Sequence, residues 1–166
     1  TAGQINDIFD IGVNYSGSFG TTDVVLSARY GTGDIQGGAV TSDPETWGVG
    51  ANVTFGQFGV AASYGEDKNA NGSLALATEA DTEGYSFGVY YDPAGPWTFS
   101  LTTYQGEEEV NNVKTAEYSN YALMGRRNLG PGVNWDVYAI FTETDFTNNA
   151  LDVEGTIIGT GIALGF

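Results

Sequence analysis

Along most of this chain, large apolar residues return at every second position. Phe9, Ile11, Val13 and Tyr15 alternate with Asp10, Gly12, Asn14 and Ser16, and Trp47, Val49, Ala51, Val53 and Phe55 alternate with Gly48, Gly50, Asn52 and Thr54. The same pattern runs through Val24–Tyr30, Phe58–Tyr64, Tyr85–Tyr91, Trp97–Thr103, Val133–Phe141 and Ile158–Phe166, with a less regular segment at Tyr118–Arg127. Successive side chains of a strand face opposite sides of a sheet, so a period of two is a strand signature and excludes a helical fold. The chain reads as all-β, an antiparallel up-and-down arrangement of about nine strands. No composition shift marks a boundary, so residues 1–166 read as one segment. Only Ser73–Ala80 has a helix-like pattern, too short to anchor a domain, and it is expected to form a helical turn within a loop.

The connections fall into two kinds. Ser16–Thr21, Gly56–Gln57, Asp92–Pro96 and Asn128–Gly132 are short and built from Gly, Pro, Asn or Ser, as tight turns require. Gly33–Thr46, Gly65–Gly84, Glu107–Glu117 and Glu143–Glu154 are longer. The two kinds alternate, so a meander would carry tight turns on one rim and long loops on the other. Acidic residues follow that division. Of 21 Asp and Glu, only Asp7, Asp10, Asp23, Asp92 and Asp136 lie outside the long connections.

Charge and composition remove whole classes of function. With five Lys and Arg against those acids, the formal net charge is −16, which argues against nucleic-acid binding because phosphates need a basic face. The chain has no Cys and no His, which excludes disulfide frameworks, thiolate nucleophiles, Cys/His zinc sites and His acid–base catalysis. The remaining carboxylates are scattered, and Lys68 and Lys114 lie in expected loops rather than beside a serine. The chain is not expected to be an enzyme.

Alternation alone fits both a water-soluble sandwich and a membrane barrel. The polar positions favour the barrel. They hold mainly Gly, Ser, Thr and Asn, with Asp10, Arg29 and Asp136 as ionisable exceptions, where a solvated sheet usually carries Lys, Arg and Glu. The apolar face sets aromatics near segment ends: Tyr15, Tyr30, Trp47, Phe55, Tyr64, Tyr85, Tyr91, Trp97, Trp135 and Phe166. Aromatic girdles form where a barrel crosses the two membrane interfaces.

The closing segment, Thr156-Ile-Ile-Gly-Thr-Gly-Ile-Ala-Leu-Gly-Phe166, resembles the terminal strand of Gram-negative outer-membrane barrels. Trp47-Gly-Val-Gly-Ala-Asn-Val-Thr-Phe55 and Tyr85-Ser-Phe-Gly-Val-Tyr-Tyr-Asp92 look like strands of trimeric general porins, particularly the alphaproteobacterial type. The resemblance implies a transmembrane β-barrel in the outer membrane, a homotrimer, contact with lipopolysaccharide, and Phe166 as the signal read by the barrel assembly machinery. It also implies a water-filled channel for passive diffusion of small hydrophilic solutes and ions. Placing Phe166 at the periplasmic rim makes the tight turns periplasmic. Nine strands then start the chain at the outer rim, so it is expected to be the carboxy-terminal part of a sixteen-strand barrel. A closed eight-strand barrel with a structural or adhesive role, and a secreted acidic β-sandwich binding calcium or carbohydrate, are the alternatives.

The wall assignment turns Asp10, Asn14, Ser27, Arg29, Asn52, Thr54, Asp136 and Tyr138 toward the lumen. Arg29 stands out because lumen charge tunes ion selectivity, and the competing expectation is that a neighbouring carboxylate pairs with it. Arg126 and Arg127, beside the turn at Asn128, are expected at the periplasmic interface or lipid headgroups. Asp67-Lys-Asn-Ala-Asn-Gly72 matches the opening of a calcium loop, with Asp67, Asn69 and Asn71 as ligands. The closing Glu is one place late, at Glu79, and an ordinary Asn-Gly turn explains the same residues. No other cofactor is implied. The acidic loops together could hold divalent cations against lipopolysaccharide, or form a solvated surface that favours cations at a pore mouth.

Overall fold

A computed structural model describes residues 4–36, 42–69, 80–147 and 152–165. Nine strands form one sheet: β1 (Gln4–Phe19), β2 (Thr22–Gln36), β3 (Glu45–Phe55), β4 (Phe58–Lys68), β5 (Ala80–Tyr91), β6 (Trp97–Val110), β7 (Val113–Gly130), β8 (Val133–Phe146) and β9 (Asp152–Leu164). Each pairs antiparallel with its sequence neighbours, in the order β1 to β9, so the chain is an up-and-down meander with β1 and β9 at its edges. All nine segments with the two-residue period are strands.

Register divides the residues into two faces. On one, Tyr30 stands opposite Trp47, Tyr64 opposite Tyr85, Leu101 opposite Leu123, and Tyr121 opposite Phe141. No second protein layer covers this face among the described residues. Among the described residues no large apolar side chain is buried, and Phe87, Leu101, Tyr121 and Ile158 are 46%, 50%, 50% and 82% exposed. A water-soluble sandwich would bury such residues between two sheets, and a bare apolar sheet face of this size in water would aggregate. In a bilayer the acyl chains cover it.

The aromatic residues on that face step across the register. Trp47 is opposite Glu66, so the next aromatic, Tyr64, lies two residues closer to the tight turn; Tyr121 lies two residues further along again. Near the tight turns, Phe55, Phe58, Tyr91 and Phe99 share one row, and Trp97 and Trp135 lie one step below it in the same direction. Strands inclined to the membrane normal require this stepping if each girdle is to stay at one depth. The rings touch along the lower girdle: Phe58 and Tyr91 stack with centroids 4.8 Å apart, and Trp97 and Trp135 are tilted at 5.7 Å.

The turns near this girdle are cross-linked by backbone. Asp92 N–H donates to the Gln57 carbonyl at 2.7 Å, Asn128 to Pro96 at 2.7 Å, and Gly165 to Gly132 at 2.7 Å. The opposite rim departs from expectation. Glu107–Glu117 is a hairpin rather than a long loop: β6 and β7 pair up to Val110 and Val113, and Asn111 and Asn112 turn the chain with φ of 52° and 60°. Asparagine tolerates this left-handed backbone, and two such residues in succession match the twist of the flanking strands. Glu45, Glu66, Asp67, Asp81, Glu83, Glu143, Asp145, Asp152 and Glu154, expected in loops, are likewise strand residues. The division into one rim of tight turns and one of long loops therefore holds only in part. Of Ser73–Ala80, all but Ala80 lies outside the described residues, and Ala80 begins β5 rather than ending a helical turn. Phe166 also lies outside them.

The two faces make opposite predictions for one charge. Leu101→Arg should weaken folding into lipid vesicles by about 2–4 kcal/mol, the cost of a cation on the lipid side near mid-bilayer. Its neighbour Ser100→Arg should change stability far less. Urea titration of both variants in vesicles, followed by tryptophan emission, checks the pair; equal losses would show that the face assignment is wrong.

Candidate functional site

The second face is polar. Reading across direct partners, one row runs Asn14, Ser27, Gly50, Ser63, Ser86, Tyr104, Asn120, Thr142. The adjacent row runs Gly12, Arg29, Gly48, Gly65, Gly84, Gly106, Tyr118, Thr144. Small hydroxyl, amide and glycine positions recur because the period of two that puts the aromatics on one face leaves these residues on the other. Ser63 and Ser86 hydroxyls hydrogen-bond at 2.7 Å, and Thr54 bonds the Tyr90 hydroxyl at 2.5 Å.

Tyrosines lie flat on this face over glycines. The Tyr104 ring covers Gly84 and Gly106, so that a Cβ at Gly84 would stand 2.6 Å from its hydroxyl. Tyr90 covers Gly59 and Tyr138 covers Gly159 in the same way. Between the Arg29 side chain and the Tyr104 ring, the glycine row leaves a trough of about 640 Å³.

Asp10, Asn14, Arg29, Asn52, Asp136 and Tyr138 all lie on this face. Arg29 has a partner. Its Nε donates to both Asp10 carboxylate oxygens, at 3.2 and 3.1 Å, and its Nη2 donates to Oδ2. Arg126 corrects the expectation that it meets the periplasmic interface or headgroups. It projects from the polar face, where its Nε and Nη2 donate to Asp136 at 2.8 and 3.0 Å. Arg127 points the other way, its guanidinium 5.7 Å from the Trp97 ring centre in the lower girdle. Parity along β7 separates the two arginines, but the irregular Tyr118–Arg127 segment hid that parity in the sequence. Register also brings Asp23, Asp67 and Glu108 onto the polar face.

For the calcium candidate, Asp67 lies within β4 and Asn69 just after it, and Asn71 lies outside the described residues. Asn69 takes φ of 55°; its N–H donates to Asp81 at 2.8 Å and its side-chain amide to the Asp43 carbonyl at 3.1 Å. Among the described residues, no group of three or more carboxylates is gathered as a metal site.

Beyond the upper girdle, the apolar face becomes acidic. Glu66, Glu83, Glu107, Glu117, Asp145 and Asp152 form one row of direct partners across β4–β9. The girdle's polar handles reach into it: Trp47 Nε1 donates to Glu66 at 2.9 Å and the Tyr64 hydroxyl to Glu83 at 2.5 Å. Like charges directly opposite repel, and Lys114 sits between two of them, 2.5 Å from Glu107 and also paired with Glu117. The Lys114 hydrogen bond holds the Glu107 carboxyl below its usual range, and Glu107 first, then Glu117, push the Lys114 ammonium up.

A carboxyl depressed in the folded state stabilises the hairpin above the ordinary glutamate pKa and loses that contribution as pH falls through its folded value. Glu107 should therefore titrate below the ordinary range in detergent-solubilised protein, and Lys114→Gln should move it back up. Carboxyl carbon NMR shifts read both; a Glu107 that already titrates normally would refute the pairing.

Comparison with known proteins agrees with this geometry. The family profile for Gram-negative porins matches residues 1–149. Among solved structures, the outer-membrane expressed OmpT of Vibrio cholerae superposes with a TM-score of 0.62 at 12% identity, over 93% of this chain and 55% of that one. A porin superposes with a TM-score of 0.54 at 20% identity, over 92% of this chain and 51% of the other. A search of curated proteins finds no match. The chain thus spans about half the length of the solved structures it resembles, and those likenesses carry the fold alone. With the family profile covering most of its length, this chain belongs to the Gram-negative porins, proteins of the outer membrane.

Proposed function

We propose that the protein containing this chain is a passive channel: a water-filled pore through which small hydrophilic solutes and ions cross the outer membrane without any covalent step. The observation that carries this is the pairing of the two faces. An exposed apolar face with two aromatic girdles demands lipid on one side, and a face of Ser, Thr, Asn and Gly with Arg29, Asp10, Asn14, Asn52, Asp136 and Tyr138 demands water on the other. Family membership supports the same reading.

The finer parts of the reading are a homotrimer, lipopolysaccharide around the upper girdle, and recognition of the strand ending at Phe166 by the assembly machinery. The outward row from Glu66 to Asp152 supports the second. Carboxylates at the depth of lipid phosphates repel them unless divalent ions such as calcium lie between, so the row should bind lipopolysaccharide only with such ions present.

Reconstituted into planar bilayers, the protein as the cell makes it should give ohmic steps whose conductance scales with bulk salt conductivity. Vesicles carrying it should swell in small sugars and resist larger ones. A protein that inserts, resists protease and shifts mobility on heating, yet conducts no more than empty bilayers, would instead be a closed barrel with a structural role.

A further inference from the structure

We propose that this wall passes cations in preference to anions, because each arginine on the polar face is neutralised by its own carboxylate while three carboxylates there are not. The proposal rests on the channel reading above and names the solutes that channel favours.

The chain has five Lys and Arg, all among the described residues. Three of them are on the apolar face: Lys68 pairs with Glu66 at 3.1 Å, Lys114 with Glu107 and Glu117, and Arg127 lies against Trp97. Only Arg29 and Arg126 remain for the polar face. Each is gripped by two hydrogen-bond prongs from the next strand, Arg29 by Asp10 and Arg126 by Asp136. A guanidinium held this way against a carboxylate is a short dipole rather than a charge, and its field falls off within a few ångströms of water. The two arginines are therefore no anion-attracting pair.

Three carboxylates on this face are paired with no cation among the described residues. Asp23 accepts from the Ser18 hydroxyl at 2.5 Å, and Glu108 from Thr115 at 3.2 Å and Tyr118 at 3.4 Å. Asp67 stands between Thr46 and Thr82 on the flanking strands. Neutral donors leave Asp23 and Glu108 their full negative charge, and Asp67 feels Arg29 only at longer range, behind the Asp10 carboxylate that holds it.

The glycine trough sets one of those charges beside open space: Gly48 and Gly65 present no side chain, the Tyr104 ring closes the far end over Gly84, and Asp67 lines the trough's edge toward the acidic rim. Glu108 follows Asp67 two strands along in the same row, with Thr82 between them. On the opposite edge are the hydroxyls of Ser27 and Ser63. A hydrated cation in the trough meets oxygen ligands and uncompensated negative charge, and an anion meets an arginine already spent on Asp10.

The test uses the protein as the cell makes it, in planar bilayers under a KCl gradient, with the potassium-to-chloride permeability ratio taken from the reversal potential. The wild type should favour potassium. One charge a few ångströms from an ion's path in water changes local ion concentration by about two- to threefold. Asp10→Asn unmasks Arg29 and should lower the ratio by about that factor; Arg29→Gln should raise it; the two together should return it near the wild-type value. Asp67→Asn should lower it. Asp145→Asn removes the same charge from the apolar face and should leave the ratio unchanged. A wild type that favours chloride, or an Asp10→Asn shift no larger than that of Asp145→Asn, overturns the proposal while leaving the channel intact. A wild type that inserts without conducting brings down the channel reading itself.

Discussion

A single sheet has two faces and no interior, and everything else in this structure follows from what must cover the apolar one. Ile158, Leu101 and Phe87 cannot be packed by protein because the nine strands form one layer in sequence order. From β2 to β8 backbone hydrogen bonding is satisfied laterally, strand to strand, as a sheet that crosses a bilayer requires. Lipid then takes the place of a core, and packing specificity moves from the interior to the girdles. There Trp47 and Tyr64 anchor their polar atoms on Glu66 and Glu83, and Trp97, Trp135 and Arg127 share the lower interface.

The same alternation that exports the aromatics leaves the inner face with small residues. Glycine is useful there for what it omits. Over Gly59, Gly84, Gly106 and Gly159 it admits a tyrosine ring lying flat; at Gly48 and Gly65, where a Cβ would press on the neighbouring strand's backbone at 3.4 and 3.2 Å, it floors the trough. Charge is handled with equal economy. Arg29 and Arg126 are each tied to one carboxylate, and the acids beyond the girdle are relieved by Lys68 and Lys114.

Much of the fold was legible residue by residue. Phe9–Tyr15 and Trp47–Phe55 announce strands and their faces, because a period of two is a local property that no tertiary contact needs to supply. The placement of Asp10, Asn14, Arg29, Asn52, Asp136 and Tyr138 on the polar face follows from the same parity. The hairpin at Asn111–Asn112 was not legible, since Glu107-Glu-Glu-Val reads as a polar loop until β7 is seen to pair with it.

Sequence by itself determined strand, face and sign: which residues alternate, which side is apolar, and that the chain is strongly acidic. These are sums over local positions. Only the tertiary structure decided who stands opposite whom. Register across eight strand pairs aligned Glu66 with Glu83 and Glu107, lined up the glycines beside Arg29, and set Asp10 and Asp136 within reach of their arginines. A shift of one residue in any pairing would invert the faces, so register is chosen by the whole sheet's need to keep one side apolar, and no single segment encodes it.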